Sequence, residues 1–301
     1  MRLLGFYLVC LVTLCCMAAE NAVEKEALKA ENQAVKAAKN DAKPDKRLYF
    51  TTDDGAKREL YLFLPKGWKE TDKRPLMMLI HGGGWRGGSA EAFFLQCRDY
   101  ADAGFVAVSV NYRLADSQMS TPTMFRTLSD AKAAFRYASE HAGELGIDPA
   151  KIITSGSSAG AHLSIGIAVL PGFDGQEPLC KPAACVLMSP VVDTTETGYQ
   201  PTYRRMKEDA VKFSPAHHLG ASMPPQLIIL GTLDHLFSAD QAKKYIADVK
   251  KVGGQCELEL YEGAKHGAFY RGKYYEQCRP RIRKFLEDKK LWPEPDKVVT
   301  P

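Results

Sequence analysis

The chain has no long block of basic residues, although its formal net charge is +4. Its 40 lysines and arginines are interspersed with 36 aspartates and glutamates over 301 residues. Proteins that bind nucleic acids usually concentrate positive charge on one stripe or face. The distribution therefore argues against a nucleic-acid partner. The content of 45% hydrophobic and 25% charged residues is that of an ordinary globular protein.

The chain also lacks a Cys-x-x-Cys spacing and a cluster of cysteine with histidine, so a zinc site is not expected. We predict neither a metal nor a cofactor. Five cysteines lie beyond the first 16 residues: Cys97, Cys180, Cys185, Cys256 and Cys278. In an exported protein this odd number allows at most two disulfides and one free thiol. The sequence leaves their pairing open.

No apolar run at the N-terminus is long enough for a typical membrane-spanning helix. Residues 3–19 are apolar, end in small residues and precede Glu20, which is typical of a secretory signal. We therefore predict a signal peptide over residues 1–19 and a secreted or periplasmic protein. A lipid anchor at Cys15 or Cys16 is the alternative, and membrane contact is expected only through such an anchor. Residues 20–46, rich in Ala, Lys and Glu, predict a polar linker.

From Leu48 onward, apolar segments of strand and helix type alternate along the chain. Two strands joined at Asp53–Gly55 predict an N-terminal antiparallel hairpin, and the later short apolar runs predict strands buried on both faces. The fold class is therefore α/β, with a mostly parallel central sheet and helices on both faces. We predict one domain over residues 47–292 and a C-terminal tail over 293–301.

The segment "SGSSAG" contains two adjacent serines, and Ser158 is the one at the centre of a Gly-x-Ser-x-Gly pattern. It lies between a predicted strand over 151–157 and a predicted helix over 158–170. A serine on such a sharp strand-to-helix turn is exposed as a nucleophile, and flanking glycines permit the close packing. We therefore predict Ser158, rather than Ser157, as a catalytic nucleophile.

The segment "HGGGWRGG" comes directly after the predicted strand that ends at Ile80. Consecutive glycines let backbone N–H groups turn inward, as an oxyanion hole requires. We predict its donors to be Gly82, Gly83 and Gly84, together with Ala159 at the start of the helix after the serine. A phosphate-binding loop is a weaker interpretation, since no Gly-Lys-Ser/Thr sequence is present. Trp85 either lines the substrate site or packs beneath the loop.

A serine nucleophile needs a base and a third group that orients the base. Among the histidines after the serine, His266 comes after the last predicted strand and between small residues, and we predict it as the base. His217 and His218 precede a strand, His235 adjoins the acid candidate, and His162 is expected to pack. Asp234, just beyond a buried strand, is the predicted acid, and Asp193 is its competitor.

These motifs together resemble the α/β-hydrolase esterases that carry an HGGG loop, the branch related to hormone-sensitive lipase and to bacterial acetyl and feruloyl esterases. The segments "HGGGW", "NYRL", "GSSAG", "GTLDHLF" and "KHGAF" occur in that order over about residues 48–290. The resemblance implies the α/β-hydrolase fold, with Ser158 as nucleophile, His266 as base and Asp234 as its orienting acid. It also implies a small-molecule or polysaccharide ester as substrate.

The chain departs from this family at two points. Ser157 stands where many relatives have Asp or Glu before the nucleophile, a position that bears on substrate preference. Residues 20–46 are too polar to form the apolar helical cap of the larger lipases, which suggests an open site for short acyl groups. We expect an exported carboxylesterase acting on acetyl or feruloyl esters of carbohydrate.

Three other functions are compatible with parts of the sequence. An amide or formamide hydrolase can carry a similar glycine loop. A serine peptidase of the prolyl-oligopeptidase type would need a propeller domain, for which the chain has no room. A catalytically inactive binding or adhesion protein usually lacks a triad member, whereas here all three are present.

Overall fold

The computed structural model describes residues 42–172 and 180–294, together with the isolated helical and exposed positions 22, 26, 29 and 33. The predicted signal peptide, most of the predicted linker and residues 295–301 lie outside the described residues. Residues 42–46, which the sequence assigns to the linker, dock on the domain: Ala42 packs against the core. The Asp45 carboxylate accepts hydrogen bonds from the Leu64 N–H (2.7 Å) and from Arg98 (3.0 Å).

In the described part of the chain, eight strands form one sheet in the order β1-β2-β4-β3-β5-β6-β7-β8. The strands are β1 (Lys46–Thr51), β2 (Lys57–Phe63), β3 (Arg74–Ile80), β4 (Val106–Val110), β5 (Ile147–Ser157), β6 (Ala184–Met188), β7 (Gln226–Leu233) and β8 (Cys256–Lys265). The first two strands and the β2–β4 pair are antiparallel, and all other neighbours are parallel. The predicted α/β class with an N-terminal hairpin is confirmed.

Residues 42–172 and 180–294 contain six helices: α1 (Phe94–Asp102), α2 (Thr121–Glu140), α3 (Ala159–Val169), α4 (Gln200–Met206), α5 (Ala239–Lys251) and α6 (Lys273–Asp288). Short 3-10 turns cover Ala90–Phe93, Lys207–Val211 and Pro215–His217. Ser238 caps α5 through reciprocal hydrogen bonds with Gln241. The helix α6 continues through Pro280.

The parallel strands are buried almost completely, which explains their continuous apolar sequences. All five residues of β4 and of β6 are buried. Apolar clusters pack on the sheet, one with α2 and α3, another with α1 and α6. Since burial of apolar area contributes about 25 cal/mol per Å², these layers supply the main stabilisation of the fold.

Some element boundaries differ from the sequence-based expectation. Apolar residues at helical intervals predict a helix over residues 127–146, whereas α2 begins at Thr121, where Pro122 occupies the first turn, and ends at Glu140. The strand expected over 151–157 begins at Ile147, because that residue pairs with Arg74. Residues 191–217, to which the sequence patterns assign no element, contain α4 and two 3-10 turns.

The five cysteines in the described part of the chain are all unpaired. Four of them are buried and Cys180 is half-buried. Burial raises the pKa of the Cys185, Cys256 and Cys278 thiols to about 12. The sequence allows at most two disulfides, and the structure has none among these five cysteines.

Candidate active site

Ser158 lies on the tight turn between β5 and α3. Its backbone has φ 54° and ψ −121°, a conformation that L-residues rarely adopt. The Ser158 N–H donates to the Met188 carbonyl of the adjacent β6 at 2.9 Å, which holds the turn against the sheet. The Ser158 hydroxyl is thereby presented beyond the carboxyl edge of the parallel strands, where such sheets place functional groups.

The glycines on either side of Ser158 are required by close backbone contacts. A Cβ atom on Gly160 would lie 1.9 Å from the Ile80 carbonyl oxygen, and one on Gly156 would lie 2.5 Å from the same oxygen. Either methyl group would force β3, β5 and α3 apart. The Gly-x-Ser-x-Gly pattern centred on Ser158 is therefore a packing requirement of this turn.

Ser157, the neighbouring serine, is the last residue of β5. It is 1% exposed, and its hydroxyl has no hydrogen-bond partner among the described residues. The Ser158 hydroxyl, in contrast, lies within hydrogen-bond distance of the His266 imidazole. Of the two adjacent serines, Ser158 is therefore the one whose hydroxyl lies beside a base.

His266 comes directly after β8, and its imidazole lies against Ser158. Its Nε2 is 2.9 Å from the Ser158 Oγ atom. On the other side of the ring, Nδ1 lies 2.9 Å from Oδ2 and 3.1 Å from Oδ1 of Asp234. A proton on Nδ1 donated to the carboxylate leaves Nε2 free to accept the serine proton.

Asp234 begins the loop after β7, and its carboxylate is held by that loop. Oδ1 accepts hydrogen bonds from the backbone N–H groups of Leu236 (2.9 Å) and Phe237 (3.1 Å). Burial alone would raise the pKa of the Asp234 carboxyl, but His266, Ser189 and the Leu236 N–H lower it, and the net pKa lies below its usual value. Asp234 therefore stays ionised beside the imidazole.

The competing acid is placed elsewhere. Asp193 accepts hydrogen bonds at Oδ1 from the backbone N–H (2.8 Å) and the hydroxyl (2.6 Å) of Thr195, and at Oδ2 from Thr197 (2.9 Å). Although burial by itself raises it, the pKa of Asp193 is lowered by these donors. Its carboxylate stabilises the turn before α4.

The remaining histidine candidates also lie away from Ser158 and Asp234 or face another way. His217 contacts the Ser214 hydroxyl at 2.9 Å, His218 contacts the Val211 carbonyl at 3.1 Å, and His235 is exposed. His162 is fully buried in α3, and its Nε2 lies 2.7 Å from the Phe213 carbonyl. Burial lowers the pKa of His162 to about 4 despite that hydrogen bond. His162 is thus a neutral packing residue, in agreement with the sequence-based expectation.

The glycine loop after β3 provides backbone donors beside the serine turn. The N–H groups of Gly83, Gly84 and Ala159 donate no hydrogen bond to another described residue. Gly83 has φ +110°, and a Cβ atom there would lie 2.4 Å from the Gly87 carbonyl oxygen. The loop conformation therefore needs glycine at this position.

Gly82 differs from the other predicted oxyanion donors. Its N–H donates to the hydroxyl of Tyr270 at 2.9 Å. The expectation that Gly82 supplies an oxyanion donor is therefore corrected, because this N–H already has a buried partner. The set of candidate donors is reduced to Gly83, Gly84 and Ala159.

Trp85 packs beneath the glycine loop and presents no surface to a ligand. It is 0% exposed, with its indole ring edge-on to His162 at a centroid distance of 5.2 Å. The rings of Tyr199 and Phe213 each lie 6.0 Å away. Of the two roles considered for Trp85, the geometry corresponds to packing.

Two tyrosines that the sequence does not single out hold the loop. Tyr112 of the "NYRL" segment stacks on the His81 ring at 4.3 Å and donates its hydroxyl proton to the His81 carbonyl at 3.0 Å. Tyr270 contacts Gly82 from the other side. Both tyrosines lie in or near motifs of the sequence, but the sequence does not reveal which backbone atom a tyrosine hydroxyl reaches.

No group of three or more His, Cys, Asp or Glu side chains suited to a metal ion occurs in the described ranges. The helices of those ranges are also too short or too polar to cross a membrane.

Comparisons with known proteins agree with this fold. The family model BD-FAE matches residues 60–196. The chain is 28% identical over 274 residues to an ethyl acetate hydrolase of Pseudomonas putida, covering 82% of this chain and 83% of that enzyme. It is 37% identical to the carboxylesterase NlhH of Mycobacterium tuberculosis over 109 residues, covering 36% of this chain and 33% of that one.

Among solved structures, the apo form of esterase 2 from Thermogutta terrifontis superposes with a TM-score of 0.76 at 30% identity, covering 85% of this chain and 98% of that one. Forms of the same esterase with bound propionate and bound butyrate give TM-scores of 0.74 and 0.75. The fold, the serine turn and these relatives define an enzyme that hydrolyses carboxylic esters. The chain belongs to the α/β-hydrolase esterases of the hormone-sensitive-lipase-like type.

Proposed function

We propose that this enzyme hydrolyses short-chain carboxylic esters through an acyl-enzyme formed on Ser158. The observation that carries the proposal is the continuous line of hydrogen bonds from Ser158 Oγ through His266 to Asp234, each step being 2.9 Å. A serine hydroxyl becomes an effective nucleophile only when a positioned base removes its proton. All three groups lie within hydrogen-bond distance, as that chemistry requires.

In the first step, Ser158 Oγ attacks the ester carbonyl carbon while His266 Nε2 takes the hydroxyl proton. The negative carbonyl oxygen of the tetrahedral intermediate accepts hydrogen bonds from the N–H groups of Gly83, Gly84 and Ala159. Collapse of the intermediate breaks the bond to the alcohol oxygen, and His266 returns the proton to the leaving alcohol. The ionised Asp234 holds the imidazole and stabilises its transient positive charge.

In the second step, water attacks the acyl-enzyme and gives its proton to His266. A second tetrahedral intermediate then releases the carboxylic acid and restores the Ser158 hydroxyl. The same three residues act in both halves of the cycle, and the scheme needs no cofactor.

A short acyl group is supported by the relatives. One is an ethyl acetate hydrolase, and the esterase of Thermogutta terrifontis has been solved with propionate and with butyrate. We further propose acetyl or feruloyl groups on carbohydrate as the natural esters, a hypothesis that the BD-FAE match and the resemblance to acetyl and feruloyl esterases support.

Export to the periplasm or the exterior is proposed from the apolar segment over residues 3–19. Cell fractionation of the full chain tests it, together with mass spectrometry of the mature N-terminus. A mature chain beginning near Glu20 is expected. Retention in the cytoplasm with Met1 intact would contradict export without affecting the proposed chemistry.

The experiment that tests the chemistry compares wild type, Ser158→Ala and Ser157→Ala on p-nitrophenyl acetate, butyrate and octanoate, acetylated xylan and methyl ferulate. Ser157→Ala is the matched control, because it removes the adjacent hydroxyl, which is buried and has no partner among the described residues. We expect acetate and butyrate to exceed octanoate, and Ser158→Ala alone to lose about 10⁵-fold in kcat. Equal turnover by Ser158→Ala and wild type would refute the nucleophile.

A further inference from the structure

Tyr270 joins the loop that carries His266 to the glycine loop. The two loops are far apart in the sequence, yet the Gly82 N–H donates to the Tyr270 hydroxyl at 2.9 Å. Tyr270 is 0% exposed and lies four residues after His266. The phenol is therefore a buried contact beneath the loop, not a group that meets substrate.

Tyr270 is itself held by the segment that precedes and begins α1. The Gln96 Nε2 group donates to the carbonyl oxygens of Phe269 (3.1 Å) and Tyr270 (3.0 Å). The Tyr270 ring packs on Phe93 with centroids 4.9 Å apart. Because its backbone and ring are both fixed, the hydroxyl is a rigid reference point for Gly82.

The Tyr270 hydroxyl is one of two groups that hold the first peptide of the glycine loop. From the other side, Tyr112 fixes the carbonyl of His81 at 3.0 Å. These two contacts hold the N–H and the C=O of the same His81–Gly82 peptide, from which the backbone continues directly to Gly83 and Gly84. A buried N–H without an acceptor is destabilising, so removal of the hydroxyl favours rotation of this peptide.

We propose that Tyr270 is a positioning residue for the oxyanion donors and acts through Gly82. This inference rests on the proposed function, since it assumes that Gly83, Gly84 and Ala159 stabilise the tetrahedral intermediate. Tyr270 also ties the oxyanion donors to the loop of the base, so that both keep one geometry relative to Ser158. Its loss lowers the rate of the chemical step more than it weakens substrate binding.

The test is Tyr270→Phe, which keeps the ring and removes only the hydroxyl. Tyr245→Phe is the matched control, because Tyr245 is also buried and donates its hydroxyl to Gln226 at 2.9 Å, away from the glycine loop. On p-nitrophenyl acetate we expect Tyr270→Phe to lower kcat by about 10- to 100-fold with KM within about twofold. Tyr245→Phe should change neither constant more than about twofold, although denaturant unfolding should show that both variants lose stability.

A second measurement separates a catalytic role from a structural one. Ser158 Oγ adds to the carbonyl carbon of a trifluoromethyl ketone, its proton passes to His266, and the ketone oxygen becomes an alkoxide in the oxyanion site. For Tyr270→Phe the inhibition constant of this ketone should rise by the same factor by which kcat/KM falls. For Tyr245→Phe it should stay near the wild-type value.

The inference is overturned if Tyr270→Phe keeps the wild-type kcat and ketone affinity, or if both tyrosine variants lose kcat equally. Ser158→Ala, assayed in parallel, distinguishes a failure of this inference from a failure of the proposed function. If Ser158→Ala is inactive and Tyr270→Phe behaves as wild type, only the role of Tyr270 fails. If Ser158→Ala stays active, the proposed function fails first.

Discussion

Two serines occupy matching positions directly after adjacent parallel strands, and only one of them contacts His266. Ser158 comes after β5 with φ 54°, and Ser189 comes after β6 with φ 46°. Each donates its N–H to the neighbouring strand, Ser158 to Met188 at 2.9 Å and Ser189 to Ile229 at 2.8 Å. The φ values of both serines lie in the left-handed region, which L-residues seldom adopt.

The two serines differ in the chain segment that comes after each of them. Helix α3 begins immediately after Ser158, and glycines at 156 and 160 allow it to pack tightly on β3. Ser189 precedes Pro190 and an irregular segment, and it is 0% exposed. Its hydroxyl makes no hydrogen bond to another described residue, although it still helps to lower the pKa of Asp234. A left-handed serine at a strand end is thus a general feature of this edge, whereas a helix start and a facing imidazole distinguish the nucleophile.

The largest expected effect on kcat comes from changing Asp234, whose carboxylate orients the imidazole that, of the two serines, contacts only Ser158. In Asp234→Asn the amide no longer fixes the proton on His266 Nδ1, so kcat should fall by about 10⁴-fold. Asp193→Asn is the control, because Asp193 holds a turn, and its kcat should change less than about tenfold. Steady-state kinetics on p-nitrophenyl acetate measures both, and a larger loss in Asp193→Asn would reverse the assignment of the acid.

Gly160→Ala tests whether the tight packing of α3 on β3 after Ser158 requires glycine. The added methyl group would lie 1.9 Å from the Ile80 carbonyl oxygen, whereas an added methyl at Gly220 meets no atom within 4 Å. We expect Gly160→Ala to lose about 3 kcal/mol or more of unfolding free energy, and Gly220→Ala to change it by less than about 0.5 kcal/mol. Urea denaturation measures both. Equal values would show that the turn after β5 tolerates side chains there.

His162, in the helix after Ser158, should make the stability of the fold depend on pH. Free imidazole takes up a proton near pH 6.5, but buried His162 stays neutral until about pH 4. Because the pKa is depressed in the folded state, the neutral imidazole contributes fully to the free energy of unfolding above about pH 6.5. This contribution, about 3 kcal/mol, is lost as the pH falls to about 4. Urea unfolding at pH 7 and pH 4.5 should show a smaller acid loss for His162→Gln than for wild type. Parallel losses would contradict this origin.

The smallest effect is expected at Ser189. Removing one hydroxyl near Asp234 is a change of about 1 kcal/mol, so Ser189→Ala should lower kcat by less than about tenfold. Assays beside Ser158→Ala compare the two serines directly. A loss as large as that of Ser158→Ala would mean that a left-handed serine after β6 also takes part in the reaction, and the distinction between the two strand ends would disappear.

The sequence predicts much of this arrangement because its strongest signals are local. Continuous apolar runs identify the buried strands, and the Gly-x-Ser-x-Gly pattern identifies a turn that needs small neighbours. The order of Ser158, Asp234 and His266 then agrees with loops at the carboxyl edge of one sheet. The structure places these three side chains in a single hydrogen-bonded line.

The remaining features depend on contacts between distant segments. Nothing in "HGAFY" indicates that the Tyr270 hydroxyl reaches the Gly82 N–H, which removes Gly82 from the expected oxyanion donors. The burial of Trp85 depends on the rings of Tyr199 and Phe213, which come from a segment without clear helical periodicity. The absence of disulfides among the described cysteines likewise reflects their positions in the folded chain, which spacing does not encode.

The short backbone approach at Gly160 has a consequence for engineering. The location of the Ser158 hydroxyl is set by β3, β5 and β6 together, through the Ile80 carbonyl and the Met188 carbonyl. Larger side chains at position 156 or 160 would therefore move the hydroxyl as well as loosen the packing of the sheet. Libraries that seek new substrates should leave both glycines unchanged.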